Sequence, residues 1–289
     1  MDVKGFAVGR RRVGDGEPCL IVAEVAQAHE GSEALAQTYI RAVEGAGADA
    51  VKFQCHLPEI ESSPNVEWRI KPRVELDADR YPYWQRTAFD GYAWRRLAQA
   101  AADVGLEFLC SVFSPEGVDE MDEHVPAWKV ASGQVTNTAA LEAMAETGKP
   151  ALISMGMCTW DETEACAAHF NDYALLQCTS LYPCPPEKLG LELISRLRRS
   201  TGRPVGLSDH SASIYAGLAA VARGADILEV HVKLSEHDLG LDASSSLTVT
   251  ELATLVEGVR FIEKAMEPVD KEQMAEELGR MRELFMVAS

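Results

Sequence analysis

Short apolar runs alternate with longer amphipathic stretches along the whole chain. Runs of buried-strand length lie at Leu20 to Ala26, Ala50 to Gln54, Glu107 to Ser111, Ala127 to Ala131, Ala151 to Ser154, Tyr173 to Cys178, Val205 to Leu207 and Ile227 to His231. Between them SEALAQTYIRAVEGAG, YAWRRLAQAAADVG, TAALEAMAETG, GLELISRLRRSTG and SIYAGLAAVARG carry apolar residues at helical spacing. Each of these ends in glycine just before the next strand, where a left-handed cap is needed. Strand and helix repeated eight times predict an α/β fold of the closed (β/α)8 barrel class, the TIM barrel, rather than an open doubly wound sheet. The Gly-Ala-Asp turns Gly47-Ala48-Asp49 and Gly224-Ala225-Asp226, before the second and eighth strands, read as the same bottom turn used twice.

Two stretches fall outside this rhythm. Pro58 to Asp90, rich in Pro, Trp, Tyr and charge, follows the second strand and is expected at the top face, where a long loop covers a site. After the eighth strand, EHDLGLDASSSLTVTEL leads into a helix from about Val249 to Met266 and a last one from about Lys271 to Leu284. Residues 1–289 are expected to form one catalytic barrel domain, with residues 1–17 an N-terminal extension and 270–289 an appended helix.

Charge and cysteine usage narrow the partners. A formal net charge of -18 argues against nucleic acid and an anionic membrane surface, so any anionic ligand must be drawn by local lysines. Seven cysteines without a CxxC pair are expected to be reduced thiols of a cytoplasmic protein. The N-terminus lacks a signal-peptide core, and no run approaches 18 apolar residues, so neither secretion by that route nor a membrane span is expected.

The ends of the strands gather the chemistry. Glu24 lies on the first, Lys52 and Gln54 on the second, Ser111 on the third, and Lys129 with Ser132 and Gln134 on and after the fourth. Ser154 follows the fifth, Thr179, Ser180 and Tyr182 the sixth, Ser208, Asp209 and His210 the seventh, and Glu229 and His231 end the eighth. In a parallel barrel these positions face one mouth, where polar residues cost stability unless they bind something. His210 and His231, at adjacent strand tops, suit a divalent metal such as Mn, Fe or Zn, with Asp209 and Glu24 as candidates to orient the imidazoles or add an oxygen. A lysine inside a strand is costly without a partner, so Lys52 and Lys129 imply an anionic ligand or buried carboxylates, Glu24 being one candidate. No GxGxxG or Walker pattern joins a strand to its helix, so a nucleotide is not indicated.

IVAEVAQAHEGS, GADAVKFQ, EFLCSVFSPEGVDEM, AWKVASGQVTN, TGKPALISMGM, LLQCTSLYPCPPE, PVGLSDHS and GADILEVHV, in this order, resemble the N-acetylneuraminate synthase family, with its legionaminate and pseudaminate synthases, over about Leu20 to Leu252. The resemblance implies a homodimeric transferase that condenses phosphoenolpyruvate with the aldehyde of an open-chain sugar and releases phosphate by C–O cleavage. It implies a divalent metal, usually Mn or Mg, on His210 and His231. Lys52, Ser111, Lys129, Ser132, Ser154, Ser180 and Ser208 would hold phosphoenolpyruvate, and Glu24, Gln54, Tyr182 and Asp242 would face the sugar. Glu24, Lys52, Lys129 and Gln134 then stand at the catalytic positions.

Two motifs depart from the family. Its ASGE reads ASGQ here, so Gln134 replaces a glutamate able to move a proton, and its NHNG reads Ala28-His29-Glu30-Gly31, which makes Glu30 a candidate to take over. The family continues into a small antifreeze-like domain, and RMRELFMVAS resembles the start of the linker to it. A metal-dependent aldolase or synthase with another aldehyde acceptor, or a non-catalytic sugar- or phosphoenolpyruvate-binding barrel, are the alternative readings.

Overall fold

A computed structural model describes residues 3–14, 16–64, 66, 68 and 79–285. A hairpin of β1 (Phe6–Val8) and β2 (Arg11–Val13) precedes eight parallel strands: β3 (Leu20–Ala26), β4 (Ala50–Gln54), β5 (Glu107–Ser111), β6 (Trp128–Val130), β7 (Ala151–Ser154), β8 (Tyr173–Cys178), β9 (Val205–Asp209) and β10 (Ile227–Lys233). Each barrel strand pairs with its sequence neighbours, and β10 pairs with both β9 and β3, which closes the (β/α)8 barrel expected from the apolar rhythm. A short β11 (Leu247–Thr248) extends β10 in parallel.

Small differences from the sequence reading have local causes. The fourth strand is trimmed to three residues, and the seventh and eighth run on to Asp209 and Lys233, because their polar tips keep ladder pairing at the mouth. The last helix divides into Lys271–Glu277 and Gly279–Phe285, breaking at Leu278 before a glycine, a poor helix former in an interior position. The N-terminal extension is ordered structure: Phe6, Val8 and Val13 of the hairpin pack with Leu20, Leu109, Leu152, Leu176 and Ile227 inside the barrel. That cluster fills the interior below the polar mouth. The second core lies between the strands and the helical ring, around Trp94, Trp128, Tyr39 and Phe53.

The repeated bottom turn is real. Gly47 and Gly224 have φ of 81° and 90°, conformations that favour glycine, and each following aspartate caps a neighbouring strand. Asp49 accepts from the Ile21 amide at 2.9 Å and Asp226 from the Val205 amide at 3.0 Å. Arg260 and Arg198 from the helical ring pair with these two carboxylates.

The insertion begins after β4, at the top face. Its described parts include helices Pro58–Glu61 and Arg80–Thr87, while 65, 67 and 69–78 lie outside the described residues. All seven cysteines are free thiols. Among the described residues no helix is long and apolar enough to cross a membrane.

Candidate active site

Two lysines and two carboxylates form the centre of the mouth, and all four are almost fully buried. In the β3–β4 ladder Glu24 is the partner of Lys52, and a register shift just beyond it, at Ala26 with φ 51°, lets the strand bend away while Glu24 stays at the mouth. Lys52 Nζ lies 2.5 Å from Glu24 Oε2 and donates to Ser111 Oγ at 3.1 Å. Lys129 Nζ donates to Ser154 Oγ at 2.8 Å. Glu229 stands between the lysines, with Oε1 3.7 Å from each Nζ and accepting from Ser208 Oγ at 3.2 Å.

Burial opposes charge on all four groups, and their mutual attraction decides the outcome. Burial alone would raise Glu229, but Lys129 and Lys52 hold it below the ordinary carboxylate range. Burial raises Glu24 to about 7 against the pull of Lys52, with Glu229 adding repulsion. Burial would lower Lys52, yet Glu229 and Glu24 keep it above its usual range; at Lys129 burial wins and the ammonium lies lower. One carboxylate is therefore firmly ionised while its neighbour exchanges a proton near neutrality.

Ser132, Ser180 and Cys178 crowd around Gly156, where a Cβ would collide with all three side chains. The Gly156 amide donates to Ser132 Oγ at 2.9 Å. Any residue but glycine would push these hydroxyls apart, which explains the glycine in the SMGM turn.

Beside Cys178, the His210 and His231 rings lie 5.2 Å apart between centroids, and Tyr182 packs 4.2 Å from His210. His210 Nδ1 donates to the Thr179 carbonyl at 3.1 Å, so in the neutral ring Nε2 is the nitrogen with a lone pair. His231 Nδ1 is buried without a hydrogen-bond partner, 3.7 Å from Asp242 Oδ2. Burial, then the positive neighbours His210, Lys52 and Lys129, push His231 well below its ordinary range, so it is a neutral imidazole. Burial also opposes charge on His210, but Cys178 Sγ at 3.8 Å and the Thr179 carbonyl raise it overall. A neutral imidazole with an orphaned nitrogen beside a second imidazole fits a divalent ion. Among the described residues no third His, Cys, Asp or Glu completes a ligating cluster, so remaining ligands would come from water or substrate.

Several expectations are corrected. Asp209 does not orient an imidazole: its carboxylate accepts the Ser211 amide at 3.0 Å and hydroxyl at 2.8 Å, capping its own loop. Glu24 is engaged by Lys52 and Gln54 rather than by a histidine. Gln134 lies in the turn after β6, its Oε1 accepting from Asn137 Nδ2 at 2.7 Å. Glu30 is tied to the insertion through Arg86 Nη2 at 2.9 Å and the Tyr83 hydroxyl at 3.4 Å. Glu229 and Cys178 are drawn into the site although the sequence reading gave neither a role. Glu229 was visible as a charged residue inside the apolar strand ILEVHV, the same signal that marked both lysines.

Beside this site a cavity of about 160 Å³ opens between the β3 and β10 loops, lined by Gln27, Glu30, Tyr39, Lys233, Asp238 and Asp242 among others. Its lining is mixed, with Leu35, Leu234, Leu239 and Leu241 beside these polar groups, and Asp242 stands between it and His231.

The NeuB family model matches residues 39–271. N-acetylneuraminate-9-phosphate synthase of Homo sapiens is 36% identical over 265 residues, covering 89% of this chain and 73% of that protein. N,N'-diacetyllegionaminic acid synthase of Campylobacter jejuni is 32% identical, covering 86% and 77% respectively. The crystal structure of an N-acetylneuraminic acid synthetase from Leptospira borgpetersenii, in complex with citrate, superposes with a TM-score of 0.84 at 26% identity over 99% of this chain and 98% of that one. With a barrel, a charged mouth and a family match that runs from Tyr39 to Lys271, the chain is an enzyme and belongs to the NeuB family.

Proposed function

We propose that this enzyme joins phosphoenolpyruvate to the aldehyde carbon of an open-chain sugar, giving a 2-keto-3-deoxy sugar acid. One observation carries the reading: Lys52, Lys129, Ser111, Ser154 and Ser208 converge on Glu229 at the barrel mouth, beside a histidine pair. Two ammonium groups and several hydroxyls suit a ligand bearing both a phosphate and a carboxylate. The relatives named as sialic and legionaminic acid synthases support the same class of product.

The reaction balances as phosphoenolpyruvate, aldehyde and water giving sugar acid and phosphate. The methylene carbon of the enol phosphate attacks the aldehyde carbon, the C2 cation that results takes up water, and the C–O bond to phosphate breaks. His210 and His231 would hold a divalent ion, Mn or Mg, which supplies Lewis-acid polarisation of the aldehyde oxygen. Lys52 and Lys129 hold the anion and offset charge as phosphate leaves. Ser132 and Ser180, set around Gly156, add hydroxyls for the phosphate. Glu24, poised near neutrality, is the group placed to take the proton of the incoming water, a role Gln134 cannot fill. Gln54, Tyr182 and Asp242, half-buried at the rim, face the acceptor.

Phosphate release from phosphoenolpyruvate with Mn, measured across a panel of aldoses and N-acylated amino sugars, tests the reading. Release is expected with at least one acceptor and none without an acceptor. An absence of release across the panel would sink it.

A further inference from the structure

We propose that His56 is a positioning residue, which locks the side-chain amide of Gln54 against Glu24 and so joins the helix Arg80–Thr87 to the catalytic carboxylate. The proposal rests on the role given to Glu24 above. His56 follows β4 by two residues and is buried, its ring sandwiched between Trp84 and Phe113 at 4.3 Å from each, nearly parallel to both. Arg80 covers the far face of Trp84, its guanidinium 4.1 Å from the ring. Trp84 and Arg80 belong to the insertion helix Arg80–Thr87, and Phe113 follows β5.

Packing alone would be served by any flat ring. The imidazole instead carries two hydrogen bonds in series with the active site. Nδ1 meets Glu61 Oε2 at 2.7 Å, and Nε2 meets Gln54 Oε1 at 3.2 Å. The other oxygen of Glu61 accepts the Leu57 amide at 2.9 Å, which holds the helix Pro58–Glu61 in place. With its oxygen held by His56, the Gln54 amide has its NH2 directed at Glu24 Oε1, at 2.8 Å.

With His56 at one end and Glu24 at the other, the Gln54 amide is held at both its oxygen and its nitrogen. Glu24 then has one oxygen fixed by Gln54 and the other by Lys52, which leaves the carboxylate no freedom to rotate. Groups that hold a reacting side chain in this way preserve rate without touching substrate.

His56→Phe retains a flat ring in the stack and deletes both hydrogen bonds. The expected result is a fall in kcat of about tenfold with the KM for phosphoenolpyruvate held within about twofold. A readout that needs no turnover accompanies it: the side-chain amide signal of Gln54 in selectively 15N-labelled protein, assigned by its loss in Gln54→Leu, should leave its hydrogen-bonded position. Unchanged kcat, or a Gln54 signal that stays in place, overturns the proposal and leaves His56 as packing. If the parent protein turns over with no acceptor, the proposed reaction has failed and the amide signal alone decides the positioning claim. Should His56→Phe not fold, Glu61→Gln, which removes the carboxylate anchoring Nδ1, is read in the same two ways.

Discussion

The two sides of the barrel mouth are built from different materials. The anion side is made of strand residues: Lys52, Lys129, Ser111, Ser154, Ser208 and Glu229 sit inside the ladders, buried and mutually bonded. The side proposed for the acceptor is mostly loop, Tyr182, Asp242 and the Glu30 turn, with Gln54 at the very end of β4, and all four are half-buried. A strand fixes a side chain through its neighbours on both edges, whereas a loop residue is fixed only by what packs on it. The anion side therefore has little room to change without losing the fold, while the acceptor side can be rebuilt residue by residue. Ala28 and Glu30 fall on the side proposed for the acceptor, and Gln134 lies in the turn just after β6, off the ladders.

The sharpest break in this comparison is the histidine pair between the two sides. His210→Ala is expected to lower turnover with added Mn by about 10³-fold or more, with an unchanged circular dichroism spectrum. Full activity in the variant would mean the pair holds no ion.

Within the anion side, Glu229→Ala leaves Lys129 buried without a carboxylate, so unfolding in urea should show a loss of about 3–5 kcal/mol. Asp242→Ala on the acceptor side should cost less than about 1 kcal/mol, because its contact with His231 is long and half-buried. Equal losses at the two positions would erase the distinction.

Lys129→Ala should weaken phosphoenolpyruvate binding by about 10- to 100-fold while moving Mn affinity far less, both read by titration calorimetry. The opposite order would refute the division of roles.

Burial holds Glu24 near 7, above the ordinary carboxylate range, so as the base for water it is protonated and idle below that value. Turnover should accordingly rise as pH passes upward through about 7. A profile flat from pH 6 to 8 would remove Glu24 from that role. The smallest effect is expected at Glu30→Gln, where a half-exposed pair with Arg86 is lost: stability should change by about 0.2–1 kcal/mol, and any change in KM should fall on the acceptor alone.

The same contrast governs what could be read from the chain. The strand residues were legible because a charge inside an apolar run, as in AVKFQ or AWKVAS, is conspicuous, and strand order then places all such charges at one mouth. The helix-ending glycines were legible for an equally local reason, and Gly47, Gly105, Gly148, Gly202 and Gly224 all have positive φ. The hairpin that plugs the barrel was not legible: each of its strands is three residues long, too short for a periodic signal, and its burial depends on a cavity made by distant strands. The orientation of the imidazoles was misread because Thr179 supplies a backbone carbonyl, a group every residue carries. The stack around His56 escaped notice because Trp84 and Phe113 are 28 and 57 residues from it and meet it only in the folded chain.

Which bond of phosphoenolpyruvate breaks tests the proposed reaction most directly. Phosphoenolpyruvate labelled with 18O in the bridging C–O–P position can be turned over with Mn and the accepted sugar, and the phosphate analysed by mass spectrometry. C–O cleavage after attack on the aldehyde predicts that the label leaves in the phosphate; unlabelled phosphate, with the 18O kept in the organic product, would contradict it.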